Sequence, residues 1–125
     1  MNLKHGHIYF VEFNPSSGHE YQKMRPALIL SSDKLIKRSN LITCVPFTGN
    51  TGNVVGEDDI LVTKNKQNNL FTDSILKSQH ISTFDKLRVK RLIGVLDEKL
   101  LNLLKKVVAR NFDFNFGKVG DEFLF

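Results

Sequence analysis

Residue types suited to phosphate chemistry occur in two short segments of this sequence. The segment "GHEYQKMRPALIL" (18–30) carries His19 and Glu20 in a loop and Arg25 where an apolar run begins, and Thr48 ends the next apolar run. A guanidinium at the mouth of a strand resists full burial and is suited to binding an anion. If the two runs are antiparallel neighbours, Arg25 and Thr48 lie at the same rim of one sheet.

Cleavage of an RNA phosphodiester is a reaction that such a set could perform. It needs a base for the 2′-hydroxyl, an acid for the departing 5′-oxygen, and positive charge beside the phosphorane. The sequence has no cluster of metal ligands with convincing spacing, so Arg25 would carry the charge and Thr48 would bond the phosphate. Either Glu20 or His19 would act as the base. Because the 2′-hydroxyl is the nucleophile, DNA would be inert.

The segments that must position these residues are mostly strands. Six runs rich in aromatic and β-branched residues predict strands at 7–13, 26–31, 41–47, 59–63, 74–81 and 90–96. Six short strands in so small a chain predict a barrel or a tightly curled sheet. The glycine-rich segment 48–58 predicts a surface loop directly after a strand.

Two further segments predict helix, and the C-terminal end predicts one more strand. Residues 83–89 predict one or two helical turns with Thr83 as the cap. From Asp97, an N-cap residue, the sequence predicts a long helix whose apolar stripe packs on the sheet. The stripe consists of Leu100, Leu101, Leu104, Val107 and Val108. The alternation of Phe112, Phe114 and Phe116 predicts a strand in a tail that packs on the same domain.

Composition limits the classes of protein that this chain can belong to. With 125 residues, 41% hydrophobic and 25% charged, it predicts one globular domain, and its net charge of +5 favours anionic partners. Cys44, within an apolar run, predicts a buried thiol. His5 and His7 flank a glycine like a metal pair, but no third ligand is in view, so no metal is predicted. We expect a cytoplasmic protein without a signal peptide or membrane span.

Four stretches of the sequence resemble the MazF/PemK toxins of bacterial toxin–antitoxin systems. They are "GHIYFVEFNPSSGHE", "RPALILSSDK", "VPFTGN" and "DSILKSQHISTFDKLRVKRLIGVLDEKLLNLL", which together extend from residue 6 to about 108. The resemblance implies a mainly β fold with α, a small SH3-like, MazF-type barrel with a C-terminal helix packed on the sheet. It implies a domain over 1–110, and the aromatic tail 111–125, which has no counterpart in the family, follows that domain.

The activity that the resemblance implies is metal-independent, sequence-selective cleavage of single-stranded RNA to 2′,3′-cyclic phosphate and 5′-hydroxyl ends. No cofactor is implied. It also implies a homodimer with RNA grooves at its interface, and a cognate antitoxin whose disordered tail occupies those grooves. The family's catalytic arginine, threonine and loop glutamate fall on Arg25, Thr48 and Glu20.

The remaining predicted contacts surround these three residues. The substrate-binding set consists of His19, Lys23, Gly49, Asn50, Ser74, Gln79 and His80. The chain departs from the family pattern at His7 and Tyr21, and at Ser82, where the family has an arginine. The basic residues Lys86, Arg88, Lys90 and Arg91 predict a solvated face that adds non-specific attraction for RNA.

The sequence leaves two other functions open. One is a non-enzymatic gyrase poison of the CcdB type, which resembles MazF in fold but acts by binding a protein. The other is a single-stranded RNA binder without catalysis, for which salt-sensitive binding without new RNA ends is expected.

Overall fold

The computed structural model describes residues 2–13, 23–49, 51–52 and 56–114. The strands in these ranges are β1 (His7–Phe13), β2 (Lys23–Ile29), β3 (Leu41–Thr48), β4 (Asp59–Val62), β5 (Ser74–Lys77), β6 (Ser82–Asp85) and β7 (Val89–Val95). The helices are α1 (Asp33–Arg38) and α2 (Glu98–Asn111), and a 3-10 turn spans Lys86–Arg88.

The strands form one antiparallel sheet in the order β4-β5-β3-β2-β1-β7, and β6 pairs with β3. Strand β3 is the centre of this arrangement because β2 lies along one edge while β6 and β5 share the other. The predicted fold class, mainly β with a C-terminal helix on the sheet, is confirmed. The sheet is not a closed barrel, however, since β4 and β7 end the strand order without pairing over the described part of the chain.

Alternation along the strands separates two hydrophobic clusters on opposite faces of the sheet. One cluster contains Ile8, Leu28, Val45 and Phe47 and is covered by α2. The other contains Tyr9, Val11, Ala27, Ile29 and Cys44 and is covered by Ile36 of α1. Burying each such aliphatic side chain stabilises the fold by roughly 1.5–3 kcal/mol, so both faces hold the sheet in place.

Helix α2 has the boundaries and packing that its sequence predicts. The carboxylate of Asp97 accepts from the backbone N–H of Lys99 at 2.6 Å, which caps the first turn. Leu104 and Val107 are buried against the sheet. Of the two α helices in the described segments, neither has the length and apolar composition that crossing a bilayer requires.

Helix α1 was not predicted, although its start has a recognisable signal. The Ser32 hydroxyl accepts from the backbone N–H of Leu35 at 3.1 Å, and Asp33 occupies the first turn. The helix has only six residues, and Ile36 is its one buried side chain. So short a segment shows no helical periodicity in the sequence, which explains why it was missed.

The prediction for residues 83–89 was wrong in its first half. Residues Ser82–Asp85 form strand β6, and Thr83 lies in that strand with its hydroxyl 2.8 Å from the hydroxyl of Thr43. The helical turn begins only after Asp85, which caps it by accepting from the N–H of Leu87 at 2.8 Å. The edge of β3 is open to pairing here, and the cross-strand ladder outweighs the local preference for a turn.

The predicted strand at the start of the tail does not form over the described residues. The backbone N–H of Phe112 donates to the Val108 carbonyl at 3.0 Å, and that of Phe114 donates to the Ala109 carbonyl at 2.7 Å. These donors close the end of α2 and are therefore not used in a strand ladder. Phe116 and the rest of 115–125 lie outside the described residues, so the tail as a separate packed segment stays a prediction.

Cys44 is fully buried between β2 and β6, as predicted. Burial raises the pKa of its thiol to about 12, because a thiolate would lose its hydration there. A thiol with so high a pKa is neutral at physiological pH, and Cys44 is therefore a core residue.

Candidate nucleic-acid interface

Arg25 and Thr48 lie at one rim of the sheet because β2 and β3 are antiparallel neighbours. The last pair of the ladder is Ala27 with Pro46, and the same register continued by two residues sets Arg25 opposite Thr48. Directly opposite residues of an antiparallel pair present their side chains on the same face. The geometric premise of the sequence argument is therefore met, while the catalytic roles of the two residues stay predictions.

The guanidinium of Arg25 is held by the backbone of β3. Its Nη1 donates to the carbonyl of Phe47 at 3.2 Å, one residue before Thr48. The Arg25 side chain is half-buried, and the residue that pairs with Arg25 on β1 is the fully buried Val11. A cation beside apolar neighbours interacts with a phosphate more strongly than a fully hydrated one, because the local dielectric constant is lower.

The chain leaving Thr48 packs against the segment that enters β5. A Cβ on Gly49 would lie 3.1 Å from Cγ2 of Thr72, so glycine permits this approach. The hydroxyl of Ser74 donates to the carbonyl of Thr72 at 2.9 Å, and Ser74 itself is buried. The predicted contact residues Gly49 and Ser74 thus lie near the Arg25 rim, although the Ser74 hydroxyl is engaged within the chain.

Gln79 and His80 lie at the other end of β5. Strand β3 pairs Thr48 with Ile75, and β5 then runs away from this point by roughly 7 Å before it ends at Lys77. Gln79 and His80 follow that end, and the backbone N–H of His80 donates to the carbonyl of Lys77 at 2.9 Å. Gln79 and His80 therefore lie beyond the end of β5 that is farther from the Thr48 pairing.

Gln79 instead belongs to a cluster centred on Asp58. Gln79 Nε2 and Arg110 Nη2 both donate to the Asp58 carboxylate, and the Arg110 bond measures 2.7 Å. The hydrogen bond from Arg110 holds the pKa of Asp58 below its usual value, and smaller contributions come from Asn111 and Gln79. The cluster joins the turn after β5 to the end of α2. No local pattern could reveal it, because its members are 21 and 52 residues from Asp58.

Three of the predicted site residues lie outside the described part of the chain: His19, Glu20 and Asn50. Lys23 begins β2 opposite Phe13. The choice between His19 and Glu20 as the base therefore stays a prediction.

The predicted basic face is only partly solvated. Lys90 and Arg91 are exposed, but Lys86 and Arg88 are half-buried and bind backbone carbonyls. Lys86 Nζ donates to the carbonyl of Ile36, and Arg88 Nη1 donates to the carbonyl of Glu12 at 3.2 Å. These two cations therefore connect elements of the fold, which the charge pattern alone did not indicate.

Of the two histidines near the start of β1, only His5 has a ring nitrogen within hydrogen-bond distance of backbone carbonyls in the described part of the chain. Nδ1 of His5 lies 3.1 Å from the Leu30 carbonyl and 3.2 Å from the Ser31 carbonyl. Burial, aided by the charge of Lys4, lowers the pKa of His7. Over the residues that the structure describes, no group of three or more His, Cys, Asp or Glu side chains could hold a metal ion.

Residues 4–112 match a protein-family model described as the PemK-like, MazF-like toxin of type II toxin–antitoxin systems. The chain belongs to this family. The match extends the region of resemblance by two residues at the N-terminal end and takes in all of α2. It therefore covers both sides of the Arg25 rim and the Asp58 cluster.

Individual relatives of this chain share a low sequence identity with it. An endoribonuclease MazF from Staphylococcus saprophyticus is 26% identical over 115 residues, which are 92% of this chain and 92% of that protein. MazF (Form-I) from Deinococcus radiodurans superposes with a TM-score of 0.75 at 18% identity, covering 90% of this chain and 98% of that chain. A MazE–MazF structure (Form-II) from the same organism has a TM-score of 0.71 at 20% identity, covering 92% and 99%. These structures share the fold of this chain.

Proposed function

We propose that this chain is the toxin of a toxin–antitoxin system and acts as a metal-independent, sequence-selective endoribonuclease on single-stranded RNA. The products would be a 2′,3′-cyclic phosphate and a 5′-hydroxyl. The observation that carries the proposal is the hydrogen bond from Arg25 to the carbonyl of Phe47, which holds a half-buried guanidinium beside Thr48. The name of the Staphylococcus saprophyticus relative, endoribonuclease MazF, supports it.

In this mechanism each residue has one role. The base, Glu20 or His19, removes the proton of the 2′-hydroxyl, whose oxygen attacks the adjacent phosphorus while the bond to the 5′-oxygen breaks. The departing 5′-oxygen takes a proton from solvent water. Arg25 stabilises the extra negative charge of the phosphorane, for which its planar fork of donors is suited. Thr48 donates a hydrogen bond to a phosphate oxygen. Gly49 and Lys23 orient the flanking nucleotides.

The partners of this activity follow from the same family. We propose a homodimer in the cytoplasm that is inhibited by a cognate antitoxin. The names of solved relatives support the antitoxin, since Deinococcus radiodurans MazF is found in MazE–MazF structures and a mycobacterial endoribonuclease is found with its cognate antitoxin. None of the comparisons favours a gyrase poison or an inactive RNA binder.

The decisive experiment is incubation of the purified chain with a long defined RNA in EDTA, followed by mapping of the new ends. Cuts at one short motif with 5′-hydroxyl ends are expected, and Arg25→Ala or Thr48→Val should abolish them. Arg38→Ala is the matched control, because it removes an exposed arginine from α1. If the chain makes no cuts, or if Arg25→Ala cuts as well as the parent, the proposal is wrong.

A further inference from the structure

An exposed aromatic cleft lies next to Thr72, the residue that approaches Gly49. Phe71 is 77% exposed, and its ring centroid lies 6.2 Å from that of the half-buried Phe10. The guanidinium carbon of Arg91 lies 4.5 Å from the Phe10 centroid. Together with Asn69, Leu70 and Ile93, these side chains enclose a cleft of about 200 Å³, which we call the aromatic cleft.

The segment that carries Phe71 is anchored to the sheet. Asn69 adopts a positive φ of 54°, and its side-chain amide donates to the Ile93 carbonyl at 3.1 Å. The backbone N–H of Val95 donates to the Gln67 carbonyl at 2.9 Å. Asparagine tolerates this left-handed conformation, and the two hydrogen bonds hold the segment against β7. These hydrogen bonds fix the backbone that carries the exposed side chain of Phe71.

Position connects the aromatic cleft to the proposed nuclease site. Phe71 precedes Thr72, the residue that approaches Gly49 just after Thr48. Phe10 lies opposite Pro26, the neighbour of Arg25, but on the other face of the sheet. An RNA strand that crosses the rim from Arg25 over Gly49 and Thr72 would therefore arrive at Phe71.

The chemistry of the cleft fits a nucleobase. Stacking on an aromatic ring is the sequence-tolerant way in which proteins hold single-stranded bases, and an arginine nearby adds cation–π and phosphate attraction. Lys64 and Lys66, both exposed, lie in the segment before Phe71 and add positive charge. A stable protein interface buries roughly 1,000 Å² or more. The aromatic cleft consists mainly of two rings and one guanidinium, so it is too small to be such an interface by itself.

We propose that the aromatic cleft is a stacking subsite for a base that flanks the scissile linkage, with Phe71 as the stacking platform and Arg91 as its cationic partner. This inference rests on the proposed nuclease function. The cleft would hold the strand in register beyond the reacting phosphate and so favour substrates long enough to reach it.

The test uses a set of RNA oligonucleotides that contain the mapped cut motif and are shortened one nucleotide at a time from either end. For the parent chain, the cleavage rate at low substrate concentration should fall by about tenfold or more at one step, where the base that stacks is lost. Phe71→Ala should cut the long substrate about tenfold or more slowly than the parent does, and its rate should no longer fall at that step of shortening. Phe71→Trp should keep it, and Arg91→Gln should weaken it.

Phe112→Ala is the matched control, since it removes an exposed phenylalanine from the end of α2. The subsite is refuted if Phe71→Ala cuts every substrate like the parent, or if it slows all lengths equally. A variant that cuts normally but no longer binds the antitoxin would assign the cleft to a protein partner, which also refutes the proposal.

Failure of the nuclease proposal gives a different result. In that case the parent chain cuts nothing, and binding is measured with an oligonucleotide that carries 2′-deoxyribose throughout and one 2-aminopurine. Fluorescence quenching that Phe71→Ala abolishes and Phe112→Ala preserves would support base stacking in the cleft without catalysis. Equal quenching with both variants, or no quenching with the parent chain, would refute base stacking in the aromatic cleft.

Discussion

The guanidinium of Arg25 donates from Nη1 to the backbone carbonyl of Phe47 at 3.2 Å, and Phe47 immediately precedes Thr48. This bond couples the position of the cation on β2 to the end of β3. A phosphate bound by the arginine, as we propose, would lie close to the threonine. The relationship depends on the antiparallel register of two neighbouring strands, which neither segment specifies on its own.

Arg25→Lys keeps the charge but removes the planar fork of donors. We expect the rate of RNA cleavage to fall by about 10²-fold or more, as when one preorganised donor to a transition-state oxyanion is removed. Thermal unfolding should change little, because the residue is only half-buried. Single-turnover cleavage measures the rate and calorimetry the stability. A lysine variant with the parent's rate would mean that positive charge alone is sufficient.

Gly94→Ala should destabilise the protein. A Cβ at Gly94 would lie 2.4 Å from the carbonyl oxygen of Asn68, and backbone must move to relieve the contact. We expect a loss of about 1–3 kcal/mol in the free energy of unfolding, measured by urea denaturation. Gly56→Ala is the control because its nearest contact would be 3.6 Å, to the flexible side chain of Asp59. Equal stabilities of the two variants would contradict the predicted clash.

The bond between Asp58 and Arg110 should make stability depend on pH in the acid range. Because the pKa of Asp58 is lower in the folded state than in the unfolded state, its ionisation stabilises the fold above the unfolded pKa of about 4. That contribution is lost as pH falls through the folded pKa. Thermal midpoints of the parent should therefore exceed those of Asp58→Asn at pH 7, and the difference should shrink towards pH 3.

Glu57→Gln serves as the control for this effect, since it removes an exposed charge from the adjacent residue. Its thermal midpoint should follow that of the parent across the same pH range. A difference between the parent and Asp58→Asn that stays constant down to pH 3 would show that the ionised carboxylate is not the cause.

Cys44 should resist thiol reagents in the folded protein. It is fully buried and its pKa is raised to about 12, so the reactive thiolate is both rare and shielded at pH 8. We expect no reaction with Ellman's reagent in native buffer and one equivalent of thiol after unfolding in guanidinium chloride. Rapid native labelling would place Cys44 outside the core.

Much of the fold was readable from local pattern. Enrichment in aromatic and β-branched residues predicted β1 and β3, while Asp97 and the leucine stripe predicted α2, because these signals express short-range geometry. The local signals failed at β6, where an open edge of β3 recruits Ser82–Asp85 as a strand. They also failed at Phe112 and Phe114, whose backbone donors close α2.

The sequence by itself determined the kinds of residue available for chemistry, the family, and the expectation that Arg25 and Thr48 share a rim. Only the tertiary structure decided which predicted contacts gather there. Gly49, which follows Thr48, lies against Thr72. Gln79 instead donates a hydrogen bond to Asp58 beyond the other end of β5. The physical reason is that strand order and register set distances between residues far apart in the chain, and those distances depend on long-range packing.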